Sequence, residues 1–138
     1  MDEQGYGYGR ETQEQRADDE SQGAGSGLLQ NKSCFFGIVI CDNDIEISVL
    51  DSLEAYQAEG KKMKHCVFKC EYYAKSDSII LSAHDRQGNR IETVEFSLSQ
   101  GKVIQSRGVC NSNTEYHDRI VKLVNDNAHR FLEARASA

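Results

Sequence analysis

Four residues near the carboxyl end of the chain form the first group whose types and spacing could do chemistry. The end of a predicted strand and the residues just beyond it contain Gln105, Arg107, Gly108 and Asn111. Gln105 and Arg107 are two residues apart and therefore share one face of that strand. Gly108 permits a positive φ or a close backbone approach, and Asn111 precedes a predicted helix N-terminus, where free amides attract anions. The group could bind a phosphate or a carboxylate.

A structural interpretation of the same residues stays open. In it, Gln105 pairs across the sheet and Asn111 caps a turn. Arg107 then meets a glutamate of a neighbouring strand, such as Glu92 or Glu95. The two interpretations differ in whether the polar side chains converge on a concave surface or are hydrogen-bonded to other residues of the fold.

A histidine–cysteine pair, His65 and Cys66, is the second candidate. A cysteine nucleophile needs a thiolate within reach of an imidazole that a carboxylate orients. Neighbouring residues of a helix point about 100° apart, so His84 or His117 would have to supply the base. Cys66 lies in an apolar stretch and is also typical of a small buried side chain. We assign no catalytic residue and keep both residues as candidate binding residues.

The cysteines also raise the question of a metal. Cys66, Cys70, Cys110 and His117 could in principle surround a zinc ion. Structural zinc favours two close ligand pairs on tight turns, and Cys110 and His117 are too far apart in sequence to form one. The sequence therefore predicts no metal site and no cofactor.

A basic and aromatic cluster in the middle of the chain is the third candidate. Its members are Lys61, Lys62, Lys64, Tyr72 and Tyr73, with Lys69 and Lys75 nearby. Proteins that bind single-stranded nucleic acid combine positive charge with aromatic stacking in this way. The alternative is a solvated helix face.

The elements that must position these residues begin with a hairpin and a helix. Residues 34–40 form a short apolar run that suits a buried strand, and residues 44–49 alternate with period two. Asp51 and Glu54 have the spacing of a capping box, which predicts a helix there. Gly60 is expected to end that helix, and a short second helix follows.

The second half of the chain predicts three strands and a long helix. Residues 78–83, 90–98 and 102–107 are separated by turn residues and form a three-stranded antiparallel meander. Ser112 and Glu115 form a second capping box, from which an amphipathic helix runs to about residue 135. The helix is expected to pack on the sheet. The fold class is therefore α+β.

Charge and composition restrict the class of protein. Residues 1–27 carry seven acids and two arginines, so they hold −5 of the net charge of −6. We expect residues 1–31 to be a disordered acidic tail rich in Gly and Gln, and residues 32–138 to be a single domain. The near-neutral body argues against a strong duplex-DNA binder. Five unevenly spaced cysteines, with no signal peptide or membrane stretch, indicate a cytoplasmic protein with no membrane partner.

Several short motifs together resemble the PcfJ-like proteins. The motifs are His65-Cys66-Val67, Tyr72-Tyr73, residues 77–83, residues 90–95, Gln105-Ser106-Arg107-Gly108 and Asn111. The resemblance runs from about Phe35 to the end of the last predicted helix. It implies a bacterial protein associated with conjugative plasmids and mobile elements. It brings no established activity and no assigned catalytic residues, and members of the family are usually longer.

These observations favour a nonenzymatic interaction module, or a nucleic-acid-associated accessory module of a mobile element. Its partner is a protein or a nucleic acid, and the sequence does not determine its oligomeric state. The alternative is an enzyme that acts on a phosphate-bearing substrate through Cys66 and the segment from Gln105 to Asn111.

Overall fold

The architecture is one antiparallel sheet with helices on both faces, in a computed structural model that describes residues 27, 29–64 and 72–137. The strands follow one another across the sheet in chain order. They are β1 (Val39–Cys41), β2 (Ile45–Val49), β3 (Ser78–Asp85), β4 (Arg90–Ser97) and β5 (Lys102–Arg107). The helices are α1 (Leu53–Met63), α2 (His117–Asp126) and α3 (Ala128–Ala136), and short 3-10 turns span Ser33–Phe35, Tyr72–Ala74 and Val109–Asn111. The predicted α+β class is confirmed.

The predicted hairpin and three-stranded meander both form, but the prediction of a three-stranded sheet is wrong, because they belong to one sheet of five strands. β2 pairs antiparallel with β3, with Ile47 opposite Ala83 and Val49 opposite Leu81. This pairing joins the two predicted units into one sheet of five strands. Alternating patterns predict each strand but do not say which strands become neighbours across an inserted helix.

The first face of the sheet holds the larger core. Ile47, Leu81, Val94 and Phe96 belong to one buried cluster on this face. α2 and α3 cover it, and the Phe131 ring packs on Phe96 with centroids 4.9 Å apart. The same ring meets Phe35 edge-on at 6.5 Å. The predicted packing of the C-terminal helical segment on the sheet is confirmed.

The second face is covered by α1 and has a mixed character. Its apolar part is a smaller cluster of Leu29, Leu50, Leu53, Tyr56, Tyr73 and Ile80. Its polar part consists of buried Ser78, Ser82, Thr93 and Glu95 on β3 and β4. Polar groups with no access to water must be hydrogen-bonded within the protein, so this face is where a polar network is expected.

The helix ends differ from the predicted capping boxes. Ser52, not Asp51, caps α1, and its Oγ accepts a hydrogen bond of 3.0 Å from the amide of Ala55. α1 continues through Gly60 and ends at Lys64, which has a left-handed φ of 56°. Packing of α1 on the sheet offsets the cost of about 1 kcal/mol for an internal glycine.

The predicted long C-terminal helix is two helices. α2 begins at His117, later than the box at Ser112 predicts, because the Ser112 hydroxyl bonds the carbonyl of Val109 instead. The chain then bends at Asn127, whose side-chain amide donates to the carbonyl of Leu123 at 2.9 Å. The bend separates α2 from α3.

Among the described residues, no helix has the length and apolar character that a bilayer crossing requires.

Candidate binding site

The sheet has one end at which β4 begins and β5 ends, and most candidate residues gather there. α1 packs against β4 and against the turn Val109–Asn111. Lys61, Lys62 and Lys64 follow directly along α1 and are exposed. The fold therefore brings the lysines of the predicted basic cluster to the same end of the sheet as Arg107. We call this set of four residues the basic end.

A buried carboxylate fixes α1 in this position. The side chain of Glu59 has no solvent exposure. It accepts hydrogen bonds from Ser82 Oγ at 2.8 Å, from Arg90 Nε at 2.8 Å and from Thr93 Oγ1. Removing one partner of such a buried pair is strongly destabilising, so this network sets where the last turn of α1 lies.

Sequence reasoning missed Glu59 although the sequence contains a signal. Leu53, Tyr56 and Met63 form the buried stripe of α1, and Glu59 falls within that stripe by its spacing. A glutamate on the apolar face of a helix indicates a buried polar partner. The partners themselves lie on β3 and β4 and could not be identified from the spacing.

Gln105 and Arg107 lie on the second face of the sheet. Gln105 lies opposite Glu95 and Arg107 opposite Thr93. Arg107 Nη1 donates to the Ser106 carbonyl at 3.2 Å and to Asn113 Oδ1 at 3.3 Å. In the described part of the chain it has no carboxylate partner, so the ion pairs with Glu92 or Glu95 considered above do not form.

Gly108 has one of the two roles that the sequence suggested, whereas Asn111 does not cap the helix that follows it. Gly108 has a φ of −86°, so a left-handed conformation is not its purpose. A Cβ there would lie 2.7 Å from Thr114 Cγ2 and 3.2 Å from the Ile91 carbonyl oxygen, which makes it a close-approach glycine. Asn111 is exposed in the 3-10 turn with a φ of 64°. It does not cap α2, whose N-cap is Tyr116.

A second buried carboxylate, Glu92, lies beneath the start of α2 on the first face of the sheet. It accepts from the amide and the hydroxyl of Thr114, both at 2.8 Å, from the Ser106 hydroxyl, and contacts His117 Nδ1 at 3.0 Å. Burial by itself raises the pKa of Glu92, but the hydrogen bonds from Ser106, Thr114 and His117 outweigh it and hold that pKa below its usual value. Glu92 is therefore a charged acceptor.

The aromatic members of the predicted nucleic-acid cluster lie elsewhere. Tyr72 and Tyr73 belong to the 3-10 turn that packs at the start of β3, at the opposite end of the sheet from the basic end. Tyr73 is buried edge-on against Tyr56, with centroids 5.7 Å apart. Lys75 Nζ lies 3.9 Å from the centroid of Tyr72. The structure thus separates the lysines at the end of α1 from the two tyrosines.

A third carboxylate, Glu95, lies near these tyrosines. It accepts from Ser78 Oγ at 2.6 Å and pairs with Lys75 Nζ at 3.5 Å. Lys32 Nζ donates to the Ser78 carbonyl at 2.7 Å. Burial lowers the pKa of Lys32 to about 8, although the nearby Glu95 partly opposes this. Burial also raises the pKa of Tyr56.

The remaining candidates that the structure describes are not assembled into a site. His65, Cys66 and Cys70 lie outside the described residues. Cys110 is exposed and His117 is bonded to Glu92. Within residues 27, 29–64 and 72–137 no three His, Cys, Asp or Glu side chains are grouped as metal ligands would be.

Comparison with known proteins identifies a family and nothing narrower. The family model described as PcfJ-like protein matches residues 7–121. The match begins within the predicted tail and ends inside α2, so both its limits precede those of the resemblance that the motifs suggested. No curated protein matches, and no solved structure matches.

Proposed function

The chain belongs to the PcfJ-like protein family, and we propose that its folded part is a nonenzymatic module that binds single-stranded nucleic acid at the basic end. In this proposal the protein is a cytoplasmic accessory factor of a bacterial conjugative or other mobile element. The predicted tail of residues 1–31 includes Leu29, which is buried in the smaller core cluster, so in this proposal the binding module includes Leu29. Glu59 and Glu92 support a binding role, because each accepts hydrogen bonds from the fold itself and thereby holds α1 or the segment before α2 in place.

One observation supports the proposal: α1, which ends in three exposed lysines, packs against the turn Val109–Asn111 that follows Arg107. Arg90 and Arg119 are each paired with a carboxylate. Among the described residues, Arg107 instead bonds the Ser106 carbonyl and the side-chain amide oxygen of Asn113. A guanidinium without a carboxylate partner keeps its charge available for a phosphate, which it can hold through two parallel hydrogen bonds.

The affinity is expected to be low. Residues 28–138 carry little net charge, because −5 of the −6 lies in residues 1–27. Long-range steering by the whole molecule is therefore small. Binding then depends on the local contacts, and each neutralised phosphate of a single strand lowers log K by about 0.7 per tenfold rise in salt.

The test is a salt titration of binding to a short labelled single strand, followed by fluorescence anisotropy. The triple variant K61E/K62E/K64E should bind more weakly and show a shallower salt dependence, because fewer phosphates are neutralised. Lys62→Glu and Lys102→Glu make the same charge change, but Lys102 begins β5 at the other end of the sheet. Only Lys62→Glu should weaken binding.

Two further results bear on the location. Tyr72→Ala should leave binding unchanged, because Tyr72 lies at the opposite end of the sheet from the lysines. Equal losses from Lys62→Glu and Lys102→Glu would show that binding follows net charge alone. No anisotropy change at low salt would exclude nucleic-acid binding and leave a protein partner as the better hypothesis.

A further inference from the structure

A histidine at the start of α2, His117, is oriented by a buried carboxylate. His117 is the first residue of α2, and its Nδ1 lies 3.0 Å from Glu92 Oε1. The Glu92 side chain has no solvent exposure, whereas that of His117 is 23 % exposed. Glu92 is also held by Ser106 and by both polar groups of Thr114. Its position is therefore rigid, and the imidazole plane is set by it.

The contact determines which nitrogen of His117 carries the proton. A charged carboxylate can only accept a hydrogen bond, so Nδ1 must be the donor to Glu92. In the neutral ring the other nitrogen, Nε2, is then an acceptor. Across the described ranges Nε2 has no hydrogen-bond partner. An oriented acceptor on a partly exposed side chain is available to a ligand that donates.

A hydrogen-bonded path connects this acceptor to the basic end. Arg107 bonds Asn113, the neighbouring Thr114 bonds Glu92, and Glu92 bonds His117. Ser106, which also bonds Glu92, directly precedes Arg107 in β5. Arg107 lies on the second face and Glu92 on the first, and residues 113 and 114 join them around this end of the sheet. A strand whose phosphate lies on Arg107 would reach His117 by continuing around that end.

We propose that His117 Nε2 accepts a hydrogen bond from a ribose 2′-hydroxyl, and that the module consequently prefers single-stranded RNA to DNA. The proposal rests on the nucleic-acid binding proposed above. The 2′-hydroxyl is the group that lets a protein distinguish RNA from DNA at a given position. A phosphate suits this position less well, because it has no hydrogen to donate to Nε2 and Glu92 already places a negative charge behind the ring.

The test compares RNA, DNA and 2′-O-methyl RNA strands of one sequence, at the same salt concentration and by the same anisotropy measurement. The full-length chain should bind RNA about two- to tenfold more tightly than DNA, the range expected for one net hydrogen bond. The 2′-O-methyl strand should bind as DNA does, because its oxygen has no hydrogen to donate.

His117→Asn is the informative variant, because the Asn amide nitrogen can replace Nδ1 as the donor to Glu92 while no group replaces Nε2. It should lose the preference for RNA by binding RNA more weakly, with its DNA affinity and melting temperature unchanged. His129→Asn, at an exposed position of α3, is the control and should retain the preference.

Three outcomes would overturn the inference while leaving nucleic-acid binding intact. The first is equal affinity of the parent chain for RNA and DNA, and the second is an undiminished preference for RNA in His117→Asn. The third is an equal loss of affinity for RNA and for DNA in that variant, which would indicate a structural role. A fourth result is distinct from these three. If the parent chain binds neither RNA nor DNA, the proposed function is wrong and this inference is wrong with it.

Discussion

Replacing Lys32 with Met should change how stability depends on pH. Lys32 is only 7 % exposed, and its amine donates to the carbonyl of Ser78 at 2.7 Å. Burial lowers its pKa from 10.5 to about 8, with Glu95 acting in the opposite direction. Met preserves the length of the side chain and removes the titrating group, so it isolates the effect of the charge.

The sign follows from the direction of the shift. A lowered pKa means that the unfolded chain binds the proton more tightly than the folded protein, so folding is penalised wherever Lys32 is charged in both states. The shift corresponds to a penalty of at most about 3 kcal/mol at neutral pH. Between about pH 7 and pH 9.5 the free energy of unfolding should rise by about 2 kcal/mol as Lys32 loses its proton in the folded state.

At higher pH, Tyr56 has the opposite effect on the free energy of unfolding. Burial raises its pKa, so its contribution to stability is complete below the unfolded pKa of about 10 and is lost as the pH rises beyond that. Over the window below pH 9.5 this contribution changes by only about 0.2 kcal/mol. The rise due to Lys32 should therefore be visible before Tyr56 reverses it.

The assay is urea unfolding at closely spaced pH values, comparing the parent, Lys32→Met and Lys122→Met. Lys122 is an exposed lysine of α2 paired with Asp126, and its replacement should leave the pH dependence unchanged. At neutral pH alone Lys32→Met is uninformative, since the lost hydrogen bond to Ser78 offsets the relieved penalty. If Lys32→Met retains the full rise between pH 7 and pH 9.5, another group causes it and the argument from burial is wrong.

Four further substitutions test the fold. Phe131→Ala should destabilise by about 3 to 5 kcal/mol because Phe131 is fully buried, whereas Leu123→Ala should cost less because Leu123 is only partly buried; equal unfolding midpoints in urea would contradict this. Glu59→Ala should cost about 3 to 5 kcal/mol because Arg90 is left without its partner, and a melting temperature within a degree of the parent would show that α1 is held otherwise. Gly108→Ala should destabilise by about 1 to 3 kcal/mol, because its Cβ would meet Thr114 at 2.7 Å, and circular dichroism on heating would detect an unchanged midpoint if the loop can move aside.

The sequence by itself determined the class and most of the elements. Period-two alternation identified β2 and β4, because one side chain in two of a half-buried strand must be apolar, and the turn residues 99–101 marked the start of β5. The apolar stripe containing Ile120, Val124 and Phe131 identified the helical segment that covers the first face. These signals are local, since each depends on which residues of one element face the core.

Helix boundaries were predicted less well, because several residues could serve as caps. Ser52 and Asp51 are both suitable, and only the geometry of the chain leaving β2 makes Ser52 the cap. The bend at Asn127 was not visible either, since the apolar stripe continues across it. Packing of α3 against the Ser33–Phe35 turn accompanies the bend, and this contact joins residues far apart in the chain.

Only the tertiary structure decided which polar groups belong together. The sequence grouped Lys61 with Tyr72 because they are near in the chain, yet α1 carries the lysine to one end of the sheet and the tyrosine packs at the other. One interpretation of the sequence also paired Arg107 with Glu92 or Glu95. Glu92 lies on the opposite face of the sheet and bonds His117, and Glu95 bonds Ser78 and Lys75. The physical reason is that hydrogen bonds between side chains depend on strand register and on the face to which each residue points, and both are set by pairing between distant segments.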